Sequence, residues 1–372
     1  MKTAPVLRIG LITLGDPGAI TGGHLYHRRV ASLAPRFGAQ VSFLPLRERA
    51  FPLPAVQAPM LLRHAERRRF DVLLLDSLAA AFLGPTLLVR GTRLPIVGML
   101  HQPPGGIEPD GRRVALQSAL DRLAWRSCRL LVVASHALAE DLSRSGASLP
   151  PRRVIAPGRD PAGSTSGPSP SLRQGSRIAL LTVANWAPCK GILELLDALA
   201  CQPREAMTLH LVGDPDVDAA YAARVRARLR APDLAGRVVV HGRMRAEEVP
   251  AMYAAADVFA LASWRETYGT AYGEAMAAGL PVVGWRTGNL PNLATHGQEG
   301  LLAEPGDVAA LAAALTVLTR DGLLRKRLGA AAALRARDFP TWEQTTATLV
   351  ATLREVVTGQ STLPGPTSAG QD

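Results

Sequence analysis

The stretch from Asp257 to Gly284 limits the fold of this chain more than any other. It opens with a short β-rich apolar run (Val258, Phe259, Leu261) and closes with another (Pro281, Val282, Val283). Between them lie a loop and about two turns of helix ending at Gly279, where a glycine C-cap belongs. This is a strand–loop–helix–strand unit of an open α/β sheet, and its loop falls at the carboxyl end of a strand, the edge where such sheets bind ligands. The loop and helix start supply Glu266, Tyr268, Gly269 and Thr270, and Glu274 follows on the helix. A glycine at 269 lets backbone approach a ligand closely, and the N–H groups of a helix start suit a phosphate. Two carboxylates beside an anion site need hydroxyls to bind. A sugar nucleotide offers both groups: a diphosphate for the amides, and sugar and ribose hydroxyls for the glutamates.

The spacing Glu266-x7-Glu274, continued by Ala275-Met276-Ala277-Ala278-Gly279-Leu280-Pro281-Val282, resembles the donor-site signature of retaining glycosyltransferases of family 4. The resemblance is specific over residues 178–310 and collinear but looser over residues 1–158. It implies an α/β chain of two doubly wound, Rossmann-like domains facing across a cleft, the GT-B architecture, with a C-terminal helix crossing back to the first domain. It also implies a hexosyltransferase-like enzyme that moves a sugar, with retention, from a nucleoside-diphosphate sugar to an acceptor hydroxyl. The sugar nucleotide is then a donor substrate, and no separate cofactor is called for. Glu266 is expected to orient the sugar hydroxyls and Glu274 the ribose.

Along the first half, Leu7 to Thr13 reads as a buried strand, and Gly15 to Gly23 as a glycine-rich loop leading into a helix over about His24–Phe37. The loop fits neither the Walker nor the dinucleotide fingerprint. Gly22-Gly23 before a helix can still present amides to a phosphate, and the resemblance implies that this pair meets the donor diphosphate. Further strands at 41–44, 72–75 and 96–100, spaced by helical segments, imply a parallel sheet. The last runs into His101-Gln102-Pro103, similar to the family's His-x-Pro, whose imidazole contacts the transferring sugar. Ser135 reads as a helix N-cap.

Residues 161–177 are rich in Pro, Gly and Ser and read as a linker between a domain over 1–160 and a second over 178–338. A crossover helix over 339–358 and a disordered polar tail over 359–372 complete the organisation. In the second domain the strand Ile178–Val183 precedes Lys190-Gly191. The chain has three lysines in all, which sets Lys190 apart. The family pattern has an arginine five residues earlier, where Asn185 stands, leaving one cationic phosphate contact and an asparagine able to donate a hydrogen bond. The segment through Gly242 and Met244 resembles the strand and loop that hold the nucleotide base by backbone contacts. Asn289 and Asn292 stand in a loop where the family carries a second glycine and a glutamate. Asp216-Val217-Asp218 mimics a metal-binding Asp-x-Asp but reads as a cap for the helix from Ala219, so no metal site is expected and transfer is expected to be metal-independent.

The net charge of +11 is confined to the first half: residues 1–158 hold 21 Lys+Arg against 10 Asp+Glu, whereas residues 159–372 hold 21 against 21. Arginine clusters at 67–69, 112–113 and 152–153 point to an acidic acceptor or an anionic membrane surface. Aromatic residues make up only 5% of the chain and no nucleic-acid-binding motif is visible, which excludes nucleic acid as partner. Cys128, Cys189 and Cys201 match no metal-ligand spacing and read as free thiols of a reducing compartment. The apolar run Ile9–Leu14 is too short for a signal peptide, and Val72–Val89, with Asp76 and Pro85 inside it, reads as strand plus helix rather than a membrane span. A cytoplasmic protein, with peripheral contact at the inner membrane face, is the expected location. Two other readings share these residues: a sugar-nucleotide epimerase on the same architecture, and a sugar-nucleotide-binding protein without turnover.

Overall fold

A computed structural model describes residues 5–18, 22–106, 111–146, 148–159 and 170–359. The chain divides into two compact units, one running to Gly158 and resuming at Trp342, the other Arg159–Thr341. In chain order the first unit comprises β1 (Leu7–Leu14), α1 (Gly22–Leu33), β2 (Ala39–Leu46), α2 (Ala58–Arg67), β3 (Val72–Asp76) and α3 (Ala80–Arg90). It continues with β4 (Ile96–Leu100), α4 (Arg112–Arg126), β5 (Leu130–Val133), α5 (His136–Arg144) and β6 (Arg152–Val154). Its six strands form one sheet in the order β2-β1-β3-β4-β5-β6, every pairing parallel. Parallel strands need crossovers, and the crossover helices cover both faces of the sheet. The central strands β3, β4 and β5 therefore read as apolar runs; in β3, Val72 to Leu75 are each no more than 1% exposed.

The second unit has β7 (Ile178–Val183), α6 (Ile192–Ala200), β8 (Met207–Val212), α7 (Ala219–Leu229), β9 (Val238–Gly242), α8 (Val249–Ala255) and β10 (Val258–Leu261). There follow α9 (Thr270–Ala277), β11 (Val282–Trp285), α10 (Leu290–Leu293), β12 (Gly300–Ala303), α11 (Val308–Arg320) and α12 (Gly322–Ala336). Its parallel sheet runs β12-β11-β10-β7-β8-β9. One face is covered by α6, α7 and α11 through Leu195, Val225 and Leu315, the other by α9 and α12 through Met276 and Ala332. The last helix, α13 (Trp342–Thr358), belongs to the first unit, burying Trp342, Leu349 and Leu353 with Leu7, Tyr26 and Val30. Arg153 of β6 donates to Thr352 and Glu355 of α13, at 2.7 and 2.9 Å, and Arg354 caps the carbonyls of Phe37 and Gly38.

Several boundaries differ from the sequence expectation. The first helix begins at Gly22 and gives way at Leu33 to a 3-10 turn over Ala34–Phe37, because Pro35 cannot continue the α-helical ladder. The linker read over 161–177 is shorter at its carboxyl end: Leu172 is buried in the second unit's core, and Arg173 forms an ion pair with Asp257 at 2.7 Å. An apolar side chain within reach of an open core edge gains more by burial than a linker gains by freedom. Residues 160–169, and the tail beyond Gly359, lie outside the described residues. Val72–Val89 is strand plus helix as read, and among the described residues no helix is long and apolar enough to cross a membrane.

One buried acid stands out in the first unit. Asp121 of α4 is 2% exposed and accepts a hydrogen bond from the Gly105 N–H at 2.8 Å. Burial pushes its pKa up to about 7, against the lowering effect of the Gly105 and Ala81 amides and Arg122. Between the ordinary carboxyl pKa and about 7 the folded chain holds a proton that the unfolded chain has released. The Asp121 contribution is thus full at acid pH and lost as pH rises through 7. Asp121→Asn should therefore flatten the fall in melting temperature between about pH 4 and 7 relative to the parent. Thermal melts at half-unit steps check this, and parallel curves for the two proteins would refute it.

Candidate functional site

In the second unit the strand order reverses beside the first strand: β7 lies between β8 and β10, and the loops leaving β7 and β10 flank the switch point. Such a crevice at the carboxyl ends is where doubly wound sheets bind ligands. The loop after β7 carries Asn185 and Lys190, and the loop after β10 carries Glu266, Tyr268 and Gly269. The two loops are tied backbone to backbone and side chain to backbone. The Trp264 N–H donates to the Cys189 carbonyl at 2.8 Å, and Ser263 Oγ donates to the same oxygen at 3.0 Å. Gly191 sits at φ +61°, and a Cβ there would fall 1.8 Å from the Ala262 carbonyl oxygen, so only glycine permits this approach.

The result is a pair that the sequence placed 76 residues apart: Lys190 Nζ donates to Glu266 Oε2 at 2.8 Å, with both side chains partly buried. Burial works to lower the lysine pKa, but the charge and hydrogen bond of Glu266 outweigh it and hold the ammonium above its ordinary value. Lys190 therefore carries its charge throughout the physiological range. Gly269 caps α9 in the left-handed conformation, φ +94°, and Thr270 opens the helix, so the first-turn amides of α9 begin beside Glu266. Tyr268 is half-buried, which pushes its phenol up to about 12. Glu274, one helical turn further, accepts a hydrogen bond from Tyr253 Oη at 3.0 Å. Burial first, and then the Glu274 carboxylate, raise the Tyr253 pKa well above normal and keep it a donor.

Other expected residues are placed differently. Asn185 uses its side-chain oxygen as an acceptor, from the Asp214 N–H at 3.0 Å, so it fastens the loop after β8 to the loop after β7. Gly242 ends β9 at φ +68° and its carbonyl accepts from the Gly213 N–H at 2.9 Å; Met244 packs on the apolar side of the same unit. Asp218 caps α7, accepting from the Tyr221 N–H at 2.8 Å, and Asp216 pairs with Arg226. In the first unit, His101 follows directly on β4. Gly23, in the first turn of α1, lies against it: a Cβ there would stand 3.3 Å from His101 Cδ2, whereas one at Gly22 would meet nothing within 4 Å. Burial first, then the neighbouring His27, push the His101 pKa down to about 3 against the opposing pull of Asp76, so its imidazole is neutral.

Residues 11–162 match the sequence profile of glycosyltransferase family 4, and residues 177–321 match that of the glycosyl transferases group 1. Each half of the chain thus matches a glycosyltransferase family. D-inositol 3-phosphate glycosyltransferase of Corynebacterium efficiens is 29% identical over 272 residues, covering 68% of this chain and 61% of that protein. Its counterpart from Corynebacterium diphtheriae is 32% identical over 248 residues, covering 63% and 57%. The chain thus aligns with about three-fifths of the length of those relatives. Among solved structures, sucrose-phosphate synthase of Thermosynechococcus elongatus superposes with a TM-score of 0.82 at 21% identity, over 95% of this chain and all of that one. HepE of Anabaena, solved in complex with UDP and glucose, gives 0.77 at 22% identity over 94% and 100%. At these identities the two structures share the fold. The relatives named above are glycosyltransferases and not epimerases, and lend the epimerase reading no support.

Three features around these residues escaped sequence reasoning. Asn289, where the chain departs from the family pattern, is 3% exposed and holds the Glu266–Thr270 loop: its side-chain amide donates to the Tyr268 carbonyl at 2.8 Å, and its N–H donates to the Glu266 carbonyl at 2.9 Å. The preceding Gly288 allows this, since a Cβ there would lie 2.4 Å from the Glu266 oxygen; a Gly-Asn turn is the available signal. Tyr253, which fixes Glu274, gives no sequence signal, being one more apolar-face position of α8. The third is the surroundings of His101.

The close approach of the two loops makes a stability prediction. Gly191→Ala should destabilise the protein by about 2–4 kcal/mol through backbone strain and displacement of Ala262, whereas Gly22→Ala should change stability by less than about 1 kcal/mol. Urea denaturation of both variants measures this, and equal midpoints would contradict the geometry.

Proposed function

We propose that this chain transfers a sugar from a nucleoside-diphosphate sugar to an acceptor hydroxyl with retention at the anomeric carbon, without a metal ion. The observation that carries the reading is the Lys190–Glu266 pair at 2.8 Å beside the first-turn amides of α9. In this reading Lys190 and the amides at Tyr268–Thr270 stabilise the negative charge that develops on the departing diphosphate, the largest electrostatic demand of such a reaction. Glu266 orients sugar hydroxyls, and Glu274, steadied by Tyr253, holds the ribose. Gly242 and Met244 bound the base. For residues of the first unit the resemblance alone supplies the roles: His101 as a neutral hydrogen-bonding group toward a sugar, and the Gly22–Gly23 amides toward a phosphate. HepE, a structural neighbour, is solved with UDP-glucose, which makes uridine sugars the first donors to test.

The acceptor side is assigned from charge. A groove of about 850 Å³ beside β2 and α2 is lined by Arg47, Arg49, Arg63, Arg67 and Arg68 over Leu61. Among the described residues none of these five arginines is in an ion pair. Val56 and Met60, on the groove's rim, are 74% and 73% exposed. Guanidiniums beside exposed apolar side chains suit an anionic lipid surface, and we assign this groove to peripheral contact with one. The other two arginine clusters do not contribute in the same way: Arg153 is tied to α13, and Arg113 stacks over Phe51.

Glu266→Ala should reduce turnover by about 100-fold or more, whereas Glu274→Ala should weaken donor binding by about 10-fold, close to one charge-assisted hydrogen bond. Steady-state kinetics with uridine and guanosine sugars, with the anomer of the first product read by NMR, test both the roles and retention. Parental rates for both variants, or an inverted product, would defeat the assignment. Binding of donor with neither transfer nor hydrolysis would leave a binding protein. EDTA should leave the rate unchanged; loss restored by manganese or magnesium would overturn the metal-free mechanism.

Sedimentation with vesicles tests the groove. Binding to phosphatidylglycerol vesicles and not to phosphatidylcholine, weakened by salt and by Arg63→Glu with Arg67→Glu, is the expected result. Equal pelleting with both lipids, or none, would exclude a membrane role.

A further inference from the structure

A buried polar cluster lies under His101, built from the carboxyl ends of β1 and β3 and from α1. Asp76, the last residue of β3, is 1% exposed, and its Oδ2 accepts a hydrogen bond from Thr13 Oγ1 of β1 at 2.7 Å. Its Oδ1 accepts from Ser77 Oγ at 3.2 Å and the Leu78 N–H at 3.3 Å. Nε2 of His27, on α1 and also 1% exposed, lies 3.3 Å from Asp76 Oδ2. The His27 ring then stands edge-to-face against His101, with centroids 4.8 Å apart and planes at 75°. Tyr26 packs on His101 at 5.0 Å, and the His101 backbone N–H donates to Ser77 Oγ at 3.3 Å. Nε2 of His101 is buried and has no hydrogen-bond partner among the described residues.

Burial would raise the Asp76 carboxyl, but His27, His101 and Thr13 together hold it well below the usual carboxylate range. An ionised carboxylate with several donors fixed around it is a rigid anchor, and its partner ring inherits that rigidity. We propose that Asp76 and His27 are positioning residues, which fix the orientation and tautomer of the His101 imidazole for its contact with the transferring sugar. The inference rests on the role given to His101 above. Its physical sense lies in the transition state of glycosyl transfer, where positive charge builds on the sugar. A cationic ring there would oppose the reaction, whereas a neutral one of fixed tautomer presents a defined donor and a defined acceptor. The groups that face His101 are His24, Tyr26 and His27 of α1 and Asp76 of β3.

The test uses two variants of the full chain. Asp76→Asn keeps the shape of the anchor and removes its charge; His27→Phe keeps the edge contact and removes Nε2. Nitrogen-15 spectra of histidine-labelled protein at neutral pH report the His101 tautomer, with His101→Gln identifying the resonance. The parent should show one tautomer and both variants a mixture, with kcat lowered about 10- to 100-fold, as misorientation of a contacting group does, and donor KM changed less than twofold. An unchanged His101 tautomer in a folded variant would overturn the proposal, whatever the rate does. A tautomer shift with parental turnover would confirm the positioning and remove His101 from the reaction, a failure of the functional reading instead. His27, Asp76 and His101 also offer ligand atoms within 4.8 Å of one another. One zinc per purified chain, absent from both variants, would overturn the proposal by making these side chains metal ligands.

Discussion

A parallel sheet covered by helices on both faces leaves only its two ends open, and both units of this chain obey that constraint. Every strand pairing in the two sheets is parallel, so every loop leaving a carboxyl end arrives at the same edge. The central strands are almost wholly buried and apolar, and leave little room for polar side chains. They collect at the edge: Thr13, Asp76 and His101 in the first unit, and Lys190, Glu266 and Thr270 in the second. The positions of the chemistry follow from burial before any side chain is chosen.

The two units solve the electrostatics of a partly dry edge in opposite ways. In the second, a lysine that burial would discharge is kept charged by a carboxylate 2.8 Å away. In the first, a histidine is kept neutral by burial and by a neighbouring ring, while an aspartate beneath it stays ionised because donors surround it. A charged ammonium suits a diphosphate, and a neutral imidazole suits a sugar on which positive charge develops. The same desolvation acts on all three groups, and the partners decide which one keeps its charge.

The excess of arginine divides in the same spirit. Arg153 and Arg354 spend their guanidiniums on α13 and on the carbonyls before β2, joining the final helix to the sheet it covers. Arg173 fastens the entry of the second unit to Asp257. The arginines around α2 have no such employment among the described residues and face solvent beside exposed apolar side chains. A net charge of +11 is therefore not one property of the surface but a structural part and an unspent part.

How much of this was legible in the residues depends on range. Apolar runs of strand length, glycine caps and the Glu266-x7-Glu274 pattern are local, and local periodicity and turn chemistry determine them. The alternating strands and helices were enough for two parallel α/β units, and Asp218 capping α7 was readable from its neighbours. Contacts between loops that leave different strands were not. Lys190 against Glu266, Asn289 under Tyr268, Tyr253 on Glu274, and His27 and Asp76 beneath His101 all depend on which strands lie side by side. Strand order is a global solution for burying both faces of each sheet, and no short segment encodes it. The sequence by itself determined which residues could do chemistry. The tertiary structure decided which of them meet, because only the folded sheet brings the carboxyl ends of distant strands to one edge.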